Sequence, residues 1–402
     1  MSDEIKNQAA LGAPGEDIDL ELYDSQTAEA PSQIDPAEIS SEDKQQMMSA
    51  GIMLDDLSQR SGTFIQMDNA PVHTSITEPG IEVMAISQAL EKYDWLKDYY
   101  WKAMPADKDK YTSHVDAHKS DGYFIRALPG SQTTFPVQAC LYLARSRLVQ
   151  DVHNIVIAEE GSELHIITGC AAAGGHEPGI HLGVSEFYIK KGAKVTYSMI
   201  HSWTPETNVR PRTSIIVEED GLFLSNYVVM KPALSIQSSP TAMLNGKNAT
   251  VRFNSVMVAT PGASIDEGPR VHLNAEGAKA EVVSRAITTG GSVVARGFIE
   301  GNHPDSKGHL ECGGLIMGDN GGIIHAIPEL KGVVAGVDLS HEAAVGKIAE
   351  EEIEYLMARG LSRDDATATI VRGFLNVDIE GLPPMLQEEM KKAIEASEQD
   401  LF

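Results

Sequence analysis

"GAKAEVVSRAITTGGSVVARGFIEG", residues 277–301, is the stretch that sets the expectation for the fold. It joins short runs rich in valine, alanine and threonine through glycine turns, and no helical repeat of apolar residues connects them. Runs of the same kind fill residues 122–338, which predicts strands without intervening helices. A turn of the form glycine, two residues, apolar residue recurs through them, near Gly161, Gly192, Gly221, Gly246, Gly262, Gly277 and Gly291.

Two folds suit this repetition of strands and glycine turns. One is an antiparallel sandwich, and the other is a β-helix in which each coil stacks on the last and buries a continuous apolar column. A sandwich would favour Asp-Gly or Asn-Gly hairpin turns at regular spacing, and pairs such as those at Asp121 and Asp220 do not recur regularly. The pattern therefore favours a mainly β chain with a β-helix core over residues 122–338.

The regions on either side of the core lack the strand pattern and contain segments with helical spacing of apolar residues. Residues 1–38 form an acidic leader that is predicted to be disordered, and residues 39–121 and 339–402 are predicted to be helical regions. The segments that predict helices are "SSEDKQQMMSAGI" (40–52), "IEVMAISQALEKYDWLKDYYWKAM" (81–104), "KIAEEEIEYLMARG" (347–360), "LSRDDATATIVRGFL" (361–375) and a third C-terminal segment after "GLPP" (381–384). An open-ended coil stack needs a cap, and the C-terminal helices are candidates for it.

Composition excludes several classes of function. The chain has 402 residues, 42% of them hydrophobic, and a net charge of -26 with a pI near 4.8, which argues against nucleic-acid binding. Three cysteines are too few for a disulfide-stapled secreted domain. No apolar run is long enough for a membrane span, and the N-terminus lacks the features of a secretion signal, so the protein is expected to be cytoplasmic.

Common catalytic motifs are missing. No phosphate-binding GxxxxGK[ST] loop occurs: the nearest match, "AVGKIA" (344–349), lacks both the glycine loop and the following hydroxyl. The motifs GxGxxG, GxSxG and HExxH are absent as well. The chain is therefore not expected to bind ATP or to be an enzyme. A polysaccharide-acting β-helix enzyme remains an alternative, with Asp266 and Glu267 as its carboxylates and Arg270 and His272 nearby.

The residues that best suit metal chemistry lie near the end of the strand region. Cys312 in "GHLECGGLIMGDN" (308–320) and the pair His341 and Glu342 in "LSHEAAVGKI" (339–348) offer a thiolate, an imidazole and a carboxylate, a mixture compatible with iron. A cysteine hydrolase using Cys312 and His341 is disfavoured, because a strand lacks the helix N-terminus that lowers a thiol pKa.

Other cysteines and histidines in the strand region have a structural interpretation beside the chemical one. Cys140 and Cys170 lie in apolar, strand-like runs, where a cysteine packs as a small hydrophobe. His176 and His181, five residues apart, are more often structural than ligands.

Taken in order, four stretches resemble the SufB/SufD family of iron-sulfur cluster assembly proteins. They are "LHIITGC", "GIHLGVSEFYIKKGAKVTYSMIHSW", "HLECGGLIMGDNGGIIHAIPEL" and "LSHEAAVGKIAEEEIEYLMARGLSRDDATATIVRGFL", within residues 120–380. The resemblance implies a right-handed parallel β-helix flanked by helical regions, dimerisation through the β-helix as a homodimer or with a SufD-like partner, and docking of a SufC-type ABC ATPase on the C-terminal helices.

Residue by residue, Cys312 matches the family's cluster-site cysteine, and His341 with Glu342 matches the His-Glu pair of SufB. The chain thus looks like a short, archaeal-type SufB, although the cysteine-rich N-terminal insertion of longer SufB proteins is absent. Cys170 falls on the cysteine proposed in the family to receive sulfur, with simple packing as the alternative. The resemblance implies a scaffold that holds a transient iron-sulfur cluster, receives sulfur from a donor and passes the cluster to apo-proteins. A SufD-like structural adaptor is the alternative within the family.

Overall fold

A computed structural model describes residues 18–25, 33–119, 121–175, 179–231, 233–317 and 321–375. In chain order the helices are α1 (Ser41–Ser49), α2 (Ile86–Lys92), α3 (Lys110–His118), α4 (Glu350–Met357) and α5 (Arg363–Leu375), with 3-10 turns at Leu20–Leu22, Pro36–Glu38, Leu57–Gln59 and Asp94–Asp98. The strands are β1 (Gly62–Met67), β2 (Ala70–Ile76), β3 (Ile81–Ala85), β4 (Tyr123–Ala127), β5 (Val137–Leu143), β6 (Val149–Ala158), β7 (Glu163–Ala172), β8 (Ile180–Ile189), β9 (Lys194–Ser202), β10 (Asn208–Val209), β11 (Arg212–Val217), β12 (Leu222–Lys231), β13 (Ser235–Ser238), β14 (Thr241–Leu244), β15 (Thr250–Ala259), β16 (Ser264–Glu267), β17 (Arg270–Leu273), β18 (Lys279–Thr288), β19 (Ser292–Gly301), β20 (Lys307–Ile316), β21 (Ile323–Gly332) and β22 (Asp338–Lys347).

The strands form a parallel β-helix, as the sequence predicts. One sheet runs β2-β1-β5-β7-β9-β12-β15-β18-β20-β22, and the facing sheet runs from β3 and β4 through β6 and β8 to β19, with β21 paired to β19. Every pairing is parallel except β1 with β2 and β3 with β4, the two hairpin-like pairs at the N-terminal end. Each coil advances by about 30 residues, for example from Lys194 to Leu222 in the first sheet. The two inner faces enclose one continuous apolar core.

A column of left-handed turn residues marks each coil. Gly161, Gly192, Asp220, Asn248 and Gly277 all have positive φ, between 55° and 68°. Glycine adopts this conformation freely, and Asp and Asn tolerate it better than other side chains. The backbone N–H of each of the first four donates to a carbonyl oxygen of the next coil's turn, so the column is hydrogen-bonded along the axis.

The regularity of these turns explains the glycine spacing in the sequence. A second column, on the other side of the coil, contains Gly262, Gly290 and Gly321. Along the sequence, the glycine turns lie about 30 residues apart near Gly161 and Gly192 and about 15 apart near Gly262, Gly277 and Gly291. The spacing shortens because two columns of turns interleave there, while the coil keeps its length.

The N-terminal region differs from its predicted all-helical character. The single long helix predicted over residues 81–104 is wrong: residues 81–85 form β3, followed by α2 and the 3-10 turn Asp94–Asp98. Ile81, Val83 and Ala85 alternate inward with period two and pair with β4, so strand pairing overrides the helical spacing. The first predicted helix is confirmed as α1, whose cap Ser40 accepts a hydrogen bond from the N–H of Asp43.

The C-terminal boundary also differs from the predicted one at residue 339. "LSHEAAVGK" lies within β22, and helices begin only at Glu350. The two helices predicted next are present as α4 and α5, while the third segment after residue 381 and most of the acidic leader lie outside the described residues. α5 does not cap the coil stack: Val371 and Phe374 pack on the outer face of the first sheet, against Ile287 and Leu315. Within the described part of the chain, no helix has the length and apolarity needed to cross a membrane.

Candidate functional site

The last two strands of the first sheet position the residues predicted to bind iron. β20 and β22 pair in parallel register, with Leu310 opposite His341, Glu311 opposite Glu342 and Cys312 opposite Ala343. Because successive side chains of a strand alternate between faces, residues 310 and 312 point into the β-helix together with residues 341 and 343. Glu342 points outward beside Glu311.

This alternation brings two of the three predicted ligands to one face and leaves the third on the other. Cys312 and His341 share the interior face on neighbouring strands, at a separation of about 8 Å for two residues of rise and one strand spacing. Glu342 lies on the opposite face of the same strand. Among the described residues, these three do not form a group with all ligand atoms within 4.8 Å of one another.

Cys312 is a buried thiol with mixed electrostatic surroundings. Its residue is 2% exposed. Burial raises the pKa of the Cys312 thiol to about 11, the carboxyl groups of Glu267 and Glu311 contribute in the same direction, and the Arg285 guanidinium opposes them. The thiol is therefore protonated at neutral pH, and binding of a metal ion or of sulfur there has to release that proton.

A row of polar side chains leads from Cys312 into the core. In successive coils of the first sheet, Cys312 aligns with Ser284, then Ser255, then Tyr227. The Ser284 Oγ and the Tyr227 Oη are buried without a hydrogen-bond partner in the structure. Polar atoms of this kind in a core usually serve a bound water, an ion or chemistry.

Glu267 faces this row from the other sheet. It is 3% exposed, its Oε2 has no partner, and burial raises the pKa of its carboxyl to about 8. Glu267, Tyr227 and Ser255 line a cavity of about 30 Å³, room for about one water molecule. From the sequence, Glu267 was considered only as a carboxylate of the polysaccharide-enzyme alternative, so its place in this interior row was missed. The alternation of "SIDE" along β16 is the signal that places it inside.

The polysaccharide-enzyme alternative depends on Asp266 and Glu267 acting together. Asp266 points outward, where its carboxylate forms two hydrogen bonds with the Arg296 guanidinium, at 2.7 and 3.0 Å. Glu267 points inward into the core. Two carboxylates on opposite faces of a sheet cannot flank one glycosidic bond, so this alternative is disfavoured.

Cys170 lies deeper in the same interior. It is fully buried in β7, and in the next coil His201 stands at the paired position. Burial raises the pKa of the Cys170 thiol well above its ordinary value. Five strand spacings separate β7 from β20, about 24 Å, so Cys170 and Cys312 belong to one interior but not to one ligand set.

Two neutral histidines, His181 and His201, accompany Cys170; from the sequence, His181 was interpreted as structural and His201 was not considered. Burial lowers the pKa of His201 to about 3, and the pKa of His181 is lowered to about 3 for the same reason. The Trp203 Nε1–H donates to the His201 Nδ1 at 2.7 Å, and the His201 Nε2 has no partner. His176, considered with His181 from the sequence, lies outside the described residues. Cys140 packs in a separate apolar cluster under α1, as expected for a structural cysteine.

The end of the β-helix next to Cys312 is open. Among the described residues, β21 pairs only with β19 and β22 pairs only with β20, so neither strand has a described partner on its outer edge. Nine of the ten residues of β22 are exposed, and Ile323 and Val345 are 61% and 42% exposed. An unpaired, partly apolar edge is a template for pairing with another chain.

The outer face beside Glu342 connects to the C-terminal helices. The Arg285 guanidinium forms an ion pair with Glu311 at 2.5 Å and lies over the Phe374 ring of α5, at 5.8 Å from its centroid. A side-chain carbon added at Gly313 would meet both Phe374 and Arg285 at close range, so glycine at 313 permits this packing. α5 thus contacts the strand that carries Cys312.

Comparisons with known proteins agree with this architecture. Residues 142–374 match the family model described as "SUF system FeS cluster assembly, SufBD core domain". An iron-sulfur cluster assembly SufBD family protein of Archaeoglobus fulgidus is 52% identical over 361 residues, 90% of this chain and 96% of that protein. A relative in Methanothermobacter thermautotrophicus is 46% identical over 95% of this chain and 94% of its own length. The iron-sulfur cluster assembly protein SufB of Bacillus subtilis is 27% identical over 89% of this chain and 78% of that protein.

Proposed function

The chain belongs to the SufBD family of iron-sulfur cluster assembly proteins, and from that premise we propose that it is a cytoplasmic scaffold that holds a nascent cluster and transfers it to apo-proteins. The observation that carries the proposal is the placement of Cys312 and His341 on the same interior face at the open end of the β-helix. A thiolate binds iron firmly, and an imidazole binds it more weakly, so the pair would hold a cluster that can still leave. The cluster is cargo, and the scaffold itself has no catalytic reaction to perform.

Glu342 enters this proposal as a conditional ligand. While β22 keeps its register with β20, His341 and Glu342 point to opposite faces and cannot bind one ion. We propose that Glu342 joins the ligand set when β22, whose residues are almost all exposed, rearranges on assembly with a partner. A second copy of this chain, or a SufD-like chain, would supply the remaining ligands across the outer edges of β21 and β22.

The proposed ATPase partner is a SufC-type ABC protein that docks on α4 and α5. The helix α4 carries Tyr355 and Met357 at 58% and 41% exposure, apolar surface suited to docking. A displacement of α5 by the ATPase would reach the cluster site through Phe374, Arg285 and Glu311. ATP hydrolysis on the partner would in this way open the site at the end of the β-helix.

Cys170 is proposed as the acceptor of sulfur from a donor protein. Its buried, protonated thiol is a poor nucleophile at neutral pH, so acceptance requires local opening and a base. His201, whose Nε2 has no partner, stands at the paired position in the next coil. Because burial lowers its pKa to about 3, it would act as the base only after the same opening exposes both groups to water. Simple packing remains the alternative for Cys170.

The proposal is tested by anaerobic co-expression with an ABC-type ATPase, followed by measurement of iron and acid-labile sulfide in the purified complex. Cys312→Ser and His341→Ala are expected to lose most of the cluster, and Cys140→Ser, a buried cysteine under α1, is the matched control. If Glu342→Ala loses as much cluster as His341→Ala, then β22 rearranges as proposed. Full cluster content in Cys312→Ser and His341→Ala, with the complex intact, would identify the chain instead as a SufD-like adaptor.

A further inference from the structure

A second cluster of metal-binding side chains lies at the opposite end of the molecule from Cys312. His114 and His118, four residues apart on α3, meet Asp151 of β6, and one ligand atom from each lies within 4.8 Å of the others. Residues four apart on a helix share a face, so α3 presents both imidazoles to the same strand. From this geometry we propose that His114, His118 and Asp151 bind a divalent first-row transition-metal ion, separately from the cluster site.

The distances suit a bound ion. The His114 Nδ1 lies 2.9 Å from the Asp151 Oδ1, and the His118 Nδ1 lies 3.9 Å from the Asp151 Oδ2. Ligand atoms around a tetrahedral ion with bonds of about 2.0 Å stand about 3.3 Å apart, so small adjustments would place one ion between the three side chains. The two imidazole rings already lie close together, tilted by 31°, with centroids 4.0 Å apart.

Asp151 supplies the observation that points to a missing ligand. Its side chain is 1% exposed, and its Oδ2 is buried without a hydrogen-bond partner. A buried carboxylate oxygen without a partner costs free energy, and a cation at this position would satisfy it. The Asp151 backbone N–H, by contrast, donates to the Asn69 Oδ1 at 2.8 Å, which fixes the strand beneath the carboxylate.

The surroundings leave room for an ion to enter. The His118 side chain is 39% exposed, at the last turn of α3. Its Nδ1–H donates to the His114 carbonyl oxygen at 2.8 Å, and this local bond would be exchanged for a bond to the ion. The Ser25 hydroxyl lies 3.4 Å from the His114 Nε2. An ion here would therefore tie α3, near the N-terminal segment 18–25, to the β-helix.

The ligand set defines the chemical class of the ion. Two imidazoles and one carboxylate, with open positions for water, are typical of Zn²⁺ and of non-haem Fe²⁺. Both ions would bind to the same atoms, and competition distinguishes them. The site does not depend on the proposed cluster function, because none of its residues lies near β20 or β22.

The test uses the full-length chain carrying Cys312→Ser, His341→Ala and Glu342→Ala, so that the cluster site cannot bind metal. After removal of metal by a chelator, Co²⁺ is titrated anaerobically, and binding is followed by its visible absorption and by equilibrium dialysis. One Co²⁺ per chain is expected. His118→Gln, in the same background, should weaken binding by more than about tenfold, since loss of an outer-shell partner alone costs that much. Zn²⁺ and Fe²⁺ are then added separately to rank the natural ion.

Two controls keep the result interpretable. His309→Gln removes a half-buried histidine of β20, far from the proposed site, and should leave Co²⁺ affinity unchanged. Asp151→Asn keeps the side-chain shape and should reduce the affinity. The melting temperature should rise with free Co²⁺ in the starting chain and not in His118→Gln. The proposal is overturned if no Co²⁺ binds, or if His118→Gln, folded by circular dichroism, binds it with unchanged affinity and spectrum.

Discussion

The two ends of the β-helix differ in how completely the described part of the chain buries their strands. All ten residues of β6, near the N-terminal end, are buried, whereas nine of the ten residues of β22 are exposed. Both strands have the same length and lie in the same kind of parallel ladder. The first is covered by β4, α2 and α3, and the second has no described element beyond it.

Because of this difference, the residues that stabilise the fold and the residues proposed to bind the cluster lie at different ends of the β-helix. A buried strand contributes apolar area that stabilises the chain on its own, at roughly 25 cal/mol per Å². The exposed strand carries His341 and Glu342, and it contributes little apolar burial to the stability of the chain. The closed end therefore holds the fold together, and the open end holds the residues proposed to bind the cluster.

The largest expected effect comes from placing a charge in each of these strands. Val152→Asp introduces an unpaired carboxylate into the core at a fully buried position of β6 and should lower the free energy of unfolding by more than about 4 kcal/mol. Val345→Asp, at a position of β22 that is 42% exposed, should change it by less than about 0.5 kcal/mol while abolishing self-association. Urea denaturation and sedimentation measure the two effects. Equal destabilisation by both substitutions would mean that the open end is already covered within one chain.

The next largest decrease in the free energy of unfolding should follow from loss of the Glu186 carboxylate, which binds the segment 101–104 at the closed end. The two Glu186 carboxylate oxygens accept hydrogen bonds from the backbone N–H groups of residues 101–104, at 2.6 to 3.0 Å, and the His153 Nε2 lies 2.9 Å away. Glu186→Gln replaces one acceptor by an N–H group that faces donors, and should cost about 3 kcal/mol.

The corresponding substitution at the open end is the control for Glu186→Gln. Glu342→Gln alters an exposed side chain with no such donors, and should leave the urea midpoint unchanged. A midpoint in Glu186→Gln equal to that of the wild type would show that the segment 101–104 does not depend on this carboxylate.

Part of this asymmetry could be predicted from the sequence, and part could not. The core strands can be recognised in the sequence by valine-rich runs and glycine turns. Every coil needs buried apolar residues on its inner face and a residue that tolerates a left-handed conformation at its turn, so this pattern repeats. "LSHEAAVGKI" cannot be recognised in this way, because alanine, glutamate and lysine favour helices. Pairing with β20 imposes the strand, and β22, almost entirely exposed, has no apolar alternation that would reveal it in the sequence.

For the candidate sites too, the sequence indicates residue types but not which side chains the fold brings together. Cys312 and His341 were predicted as ligands from their residue types, with residue 341 at the start of a helical region; only the register of β20 and β22 shows that both face the interior and that Glu342 faces away from them. His114 and His118 are visible in the sequence as "HVDAH", but Asp151 comes from a strand 33 residues further along, and only the fold brings them together. Sequence neighbours suggest ligands, and strand alternation and coil stacking select among them.

A moderate, pH-dependent change in the free energy of unfolding is expected from Glu267, which lies in the interior between the two ends. Glu267 has a pKa of about 8 in the folded protein against 4.5 for its ordinary value, so the folded state retains its proton as pH rises between these values while the unfolded state loses it. Stability from this group is present below about pH 4.5 and is lost as pH rises through about 8. Glu267→Gln should remove this loss and gain about 2 kcal/mol relative to the wild type on going from pH 6 to pH 7.5.

Melting temperatures of the wild type and of Glu267→Gln across this pH range provide the measurement. Titration of other groups cancels in the difference between the two chains. A difference that is independent of pH would mean that Glu267 is ionised throughout, with an unseen cation or donor beside its Oε2.

The smallest effect concerns the link between the open end and the C-terminal helices. Arg285→Met keeps much of the apolar stem but removes the ion pair with Glu311 and the contact with the Phe374 ring. Partly exposed pairs of this kind contribute less than about 1 kcal/mol, so the urea midpoint should hardly move. Amide exchange in α5 should nevertheless accelerate, because the guanidinium links the Phe374 ring to Glu311, the neighbour of Cys312. Lys307→Met removes a more exposed ion pair with Asp338 on the same two strands and should leave exchange in α5 unchanged; equal acceleration in both variants would exclude Arg285 as the connection.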